Sequence, residues 1–110
     1  MPTTSTEEYN GSAWTAGGNL ATSRQRVAGA GTQTAGLCYG GGWPPTNFSA
    51  TEEYDGVTWT TGGNLGTARG RLGGSGTQTA GLGFGGSTVA EPPSPTTATE
   101  EYDGSTWTAG

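Results

Sequence analysis

Three pairs of adjacent carboxylates, Glu7-Glu8, Glu52-Glu53 and Glu100-Glu101, are the residues of this chain whose type and spacing could do chemistry. Two carboxylates facing each other across a sugar ring hydrolyse glycosides by acid–base work. Neighbouring residues on a strand point to opposite faces, however, so these pairs cannot converge on one substrate. The pair also recurs with each copy of a repeat, whereas an active site is needed once. The expected role is structural, with one Glu paired to an Arg of its own unit and the other facing solvent. The single cysteine, Cys38, aligns with Gly83 of the next copy, and with no His in the chain it has no base to activate it. Without His, only carboxylates and carbonyls could hold a metal, and no calcium-loop pattern is present. No catalytic residue, metal or cofactor is expected.

The four cations, Arg24, Arg26, Arg69 and Arg71, stand against nine acids for a net charge of −5. They could line a channel and bind anions. The favoured reading is that the planar fork of each guanidinium ties a loop to neighbouring backbone. So few cations cannot track a phosphate backbone, so nucleic acid is not an expected partner. No apolar run reaches membrane-spanning length, and no membrane association is expected.

The elements that carry these residues repeat. "TEEYNG" at 6–11 returns as "TEEYDG" at 51–56 and 99–104, offsets of 45 and 48 residues, and residues 6–41 match 51–86 at 24 of 36 positions. Periods of 20 to 50 residues mark solenoids, propellers or arrays. In each unit Asn10-Gly11 or Asp55-Gly56 sits between two strand-like runs, which predicts a tight two-residue hairpin. Two Gly-rich runs flanking Thr77, Gln78 and Thr79 predict a second hairpin, and no helical periodicity appears. The reading is all-β, with four short antiparallel strands per unit. Apolar content of 29% is low for a core that stands alone.

The unit resembles the kelch repeat. The residues that carry the likeness are Arg24 or Arg26, the Gly pair Gly40-Gly41, then Tyr54 and Trp59; one copy on, they are Arg69 or Arg71, Gly85-Gly86, Tyr102 and Trp107. Tyr9 and Trp14 fill the last two positions in the first, partial copy. The Tyr to Trp spacing is shorter than in the usual kelch repeat, which points to a divergent group. The resemblance implies four-stranded β-propeller blades, about two and a half per chain: residues 1–23 a half blade (its third and fourth strands) and loop, 24–68 a blade and loop, and 69–110 a second blade. Two blades cannot close a ring, so completion by homo-oligomerisation is expected, with a trimer supplying six blades or a tetramer eight. More narrowly, the repeats are similar to near-identical arrays in marine phage and bacterial proteins of tail-fibre or kelch-like type, which implies a virion or extracellular setting.

The copies differ most at 42–50, "GWPPTNFSA", and 87–98, "STVAEPPSPTTA". Variable loops on a repeated scaffold are where binding surfaces are usually built. Trp43, Asn47 and Phe48, beside Pro44 and Pro45, form a candidate platform for a host-surface glycan or a protein partner. The expected function is that of a non-enzymatic structural and adhesive module; the alternatives are a purely architectural assembly or an engineered fragment of a larger propeller.

Overall fold

The structure, a computed structural model, describes residues 3–43, 46–88 and 95–110, with the backbone alone at Trp43. The described residues form strands and turns and no helix. In chain order the strands are β1 (Glu7–Tyr9), β2 (Trp14–Ala16), β3 (Ala28–Thr32), β4 (Ala35–Tyr39), β5 (Gly42–Trp43), β6 (Thr46–Asn47), β7 (Thr51–Tyr54), β8 (Trp59–Thr61), β9 (Gly73–Thr77), β10 (Ala80–Phe84), β11 (Thr99–Tyr102) and β12 (Trp107–Ala109).

They assemble into two four-stranded antiparallel sheets, β3-β4-β7-β8 and β9-β10-β11-β12, each a meander in which the Gly-rich strand and the Trp strand are the two edges. The all-β reading with four strands per unit is what the chain forms. Among the described residues the hairpin β1-β2 pairs with no further strand, and β5-β6 is a separate small ribbon. The two sheets meet along β3 and β9. Small residues are required there: a Cβ at Gly74 would run into the Tyr39 hydroxyl and the Gly29 carbonyl. Tyr39, Leu37, Leu65, Leu72, Tyr102 and Trp107 are buried together between the sheets.

Three details depart from the sequence reading. First, the Asp-Gly turns are not two-residue hairpins. Tyr54 pairs with Trp59 across four residues, because the Asp55 carboxylate accepts from the amides of Val57 and Thr58, both at 2.8 Å, and holds the wider turn that Gly56 enters at φ 102°. The two-residue loops are those of the Gly-rich hairpins, between Thr32 and Ala35 and between Thr77 and Ala80. Second, regular strand begins at Ala28 rather than at Arg24. Arg24 and Gln25 instead bridge to Thr3 and Gly42, and Arg26 turns the chain with φ 60°, as Arg71 does in the next unit. Third, the loop after Gly41 folds back on itself as β5-β6, with Gly42 opposite Asn47 and Trp43 opposite Thr46.

Two predictions follow from the loops. A methyl at Gly63 would collide with the Ser105 carbonyl, as one at Gly18 would with the Val57 carbonyl; Gly63→Ala is therefore expected to lower the unfolding free energy by about 2 kcal/mol or more in urea titration. The Asp103 carboxyl is held down to about 2 by donors from Thr106 and Ser105. Its stabilising effect is intact above the ordinary value of 3.8 and is lost as pH falls towards 2. The Ser105 and Thr106 amide resonances should therefore shift in that window and stay flat above it.

Candidate functional site at the junction between repeat units

The local unit of the site is a buried guanidinium clamp. Arg24 donates through Nη1 to the carbonyls of Gly40 at 3.2 Å and Ala50 at 2.8 Å, and through Nη2 to Glu52 Oε2 at 2.8 Å. Arg69 does the same to Gly85 at 2.9 Å, Ala98 at 2.7 Å and Glu100 Oε2 at 3.2 Å. Each Glu is also fed by two loop amides, Ala21 and Thr22 on Glu52, and Gly66 and Thr67 on Glu100. The guanidinium thus joins the loop before each sheet, the Gly pair after its second strand and the carboxylate of its third. Both arginine side chains are fully buried. Glu52 and Glu100 serve as expected, whereas Glu7 is exposed. Arg26 and Arg71 have different places, at the positive-φ turns before β3 and β9.

Glu101 is exposed as expected, but Glu8 and Glu53 are not left to solvent. Tyr54 of one unit donates its hydroxyl to Glu8 of the unit before it, and Tyr102 donates to Glu53. The same hydroxyls accept from the amides of Gly18 at 3.3 Å and Gly63 at 3.2 Å. Sequence spacing could not show this link, because it joins residues 46 and 49 positions apart through the stacking of units. Burial, with the Glu53 hydrogen bond second, pushes the Tyr102 hydroxyl up to about 12.

Further links cross the junction between the sheets. The Trp107 indole donates to Thr51 Oγ1 at 2.9 Å and packs on the Tyr39 ring, 4.8 Å between centroids. Gln78 donates to the carbonyls of Gly36 and Tyr54, each at 3.0 Å. Tyr39 in turn donates to the Leu82 carbonyl at 2.7 Å. Gly41 donates to Arg69 and accepts from Phe48 within the same seam, so the Gly pairs are backbone joints.

The tyrosine and tryptophan links have unmated halves at the ends of the stack. At the N-terminal end Tyr9 is 48% and Trp14 64% exposed, where Tyr102 and Trp107 are 2% and 8%. At the other end Glu101 and Phe84 are exposed. Between the β1-β2 hairpin and the first sheet lies a cleft of about 410 Å³, walled by Glu8, Tyr9, Ala30, Gly36, Tyr54 and Trp59.

The loop residues singled out from sequence lie elsewhere. Asn47 donates to the Ser87 carbonyl at 3.0 Å, Phe48 is half-buried, and the side chain of Trp43 falls outside the described residues. Cys38 is buried, and burial pushes its thiol up. No grouping of three or more metal-ligating side chains occurs among the described residues. Comparison with protein families finds no family model that matches the chain, and comparison with curated proteins finds no match either.

Glu100→Gln is expected to cost about 3 to 5 kcal/mol, read as a lowered urea midpoint, because it leaves Arg69 buried without its charge partner. Stability should also fall as pH rises from about 10 to about 12, the interval between the ordinary value of the Tyr102 hydroxyl and its value in the fold. Tyr102→Phe should flatten that part of the pH profile.

Proposed function

We propose that this chain is a non-enzymatic, self-assembling structural module whose four-stranded sheets are kelch-like β-propeller blades. The observation that carries the proposal is the repeated junction. Its Tyr-to-Glu link is made twice within the chain, while the aromatic half, Tyr9 and Trp14, stands exposed at one end and the accepting half, Glu101 and Phe84, at the other. Faces related by a repeat are complementary by construction, so copies associate head to tail and close when the rotation between them allows. Three copies supply six blades and four supply eight. The paired carboxylates support this reading, since in the complete pair Glu52 is committed to an arginine and Glu53 to the seam.

The test is native mass across a dilution series. A discrete trimer or tetramer is expected. Trp14→Ala should remove an aromatic anchor worth about 2 kcal/mol, a roughly 30-fold weakening of association, with the sheet signature in far-ultraviolet circular dichroism retained. A chain that stays monomeric at all concentrations overturns the proposal.

A second reading, adhesion, is favoured by one observation. The ribbon that bears Trp43 is pinned to its scaffold by Gly42 pairing with Gln25 and by Asn47 on Ser87, and a held loop loses less entropy on binding. In a virion fibre or surface appendage this loop would meet a host glycan. Binding to a glycan array that Trp43→Ala abolishes is the expected result, and a wild-type chain that binds no glycan overturns it.

A further inference from the structure

Building on the self-assembly reading, we infer that the cleft beside β1 is a strand-acceptor site for a second copy's β9-β10 hairpin, which pairs with β1 in place of its own β11. The argument starts from β1 itself. Its counterparts β7 and β11 are each flanked by two strands, whereas among the described residues β1 pairs with β2 alone and its other edge borders the cleft.

The cleft's groups match that hairpin residue by residue, because the seam between the two sheets is a built example of the same fit. Trp107 packs on Tyr39 of the preceding sheet; Trp59, its counterpart, has no such ring, and Phe84 of the second copy occupies the Tyr39 position of the repeat. Gln78 reaches two carbonyls, on Gly36 and Tyr54. Gln33 reaches only one, Tyr9 at 2.9 Å, and the Gly81 carbonyl of the incoming hairpin stands where Gly36 does. Leu37 packs towards Gly81, so Leu82 of the second copy fills the space over Gly36. Glu7 occupies the position of Glu52 and Glu100, which both take a buried guanidinium, and Arg69 of the second copy arrives with its hairpin. Finally, the Trp59 indole nitrogen is buried without a hydrogen-bond partner. Thr6, which occupies the position of the indole acceptor Thr51, donates instead to the Gly18 carbonyl at 2.6 Å. Pairing along the open edge of β1 holds Thr6 as Tyr39 holds Thr51.

The exchange is close to balanced outside the cleft. The released hairpin "TEEYDGSTWTAG" and the incoming "TEEYNGSAWTAG" differ at two positions, so what Tyr102 and Trp107 of the second copy give up on its first sheet, Tyr9 and Trp14 of the accepting copy restore. The filled cleft is the net gain.

The test uses the full chain with Cys38→Gly, a residue the next unit carries at that position. The register of β10 on β11 sets Gly83 opposite Glu100, so on β1 it stands opposite Glu7, while Glu8 points to the other face. Under mild oxidation, Glu7→Cys with Gly83→Cys should convert most of the oligomer to covalently linked chains, and Glu8→Cys with Gly83→Cys should not. An unmodified sample mixing Trp-labelled with Phe-labelled chains provides a check free of substitutions: an inter-chain nuclear Overhauser effect between Trp59 and Phe84 is expected. An oligomer with no selective 7–83 link and with Trp14, not Trp59, near Phe84 overturns strand exchange while leaving self-assembly intact. A monomer overturns both.

Discussion

The tyrosine hydroxyl that reaches back to a glutamate of the preceding unit is the interaction on which the arrangement of the units depends. Each four-stranded sheet is a thin object with few large apolar residues, and a core made from Leu, Tyr and Trp side chains exists only where one sheet lies against the next. The hydroxyl sets that stacking distance. It donates to Glu53 and accepts from the Gly63 amide, so the seam closes only when two units and the loop between them are all in place. A part-buried, charge-assisted hydrogen bond of this kind contributes more than a neutral one and tolerates less error in position.

The guanidinium clamp plays the complementary part within a unit. A loop, a Gly pair and a strand that are distant in sequence need one donor group able to reach three acceptors at once, which the planar fork of Arg24 and Arg69 supplies and an ammonium does not. The cost of burying that charge is offset by the glutamate, which is itself satisfied by two loop amides. Clamp and seam share the Glu52-Glu53 pair, one carboxylate each, and the alternation of a strand sends the two to different tasks. Chemistry suggested by adjacent carboxylates is thereby converted into architecture.

Under the proposed function, seam residues that are buried inside the stack are exposed at its ends, and the likeness of the units makes the exposed halves mutually complementary. The same likeness lets one hairpin stand in for another, which links assembly to strand exchange in one physical cause.

The repeat, the four strands per unit and the Arg–Glu pairing were legible in the sequence, because strand alternation and the period of 45 to 48 residues are local or directly comparable between copies. The width of the Asp-Gly turns was not, since whether an Asp side chain caps two amides depends on the path of the strands it joins. Nor was the fate of Glu8 and Glu53. Each lies on the outward face of its own strand, where the sequence of one unit indicates solvent; only the packing of the next unit brings a tyrosine hydroxyl to it. The residue types and their spacing determined what each unit is, and the tertiary structure decided which groups the units share, because that depends on the distance and rotation between sheets, which no spacing along the chain encodes.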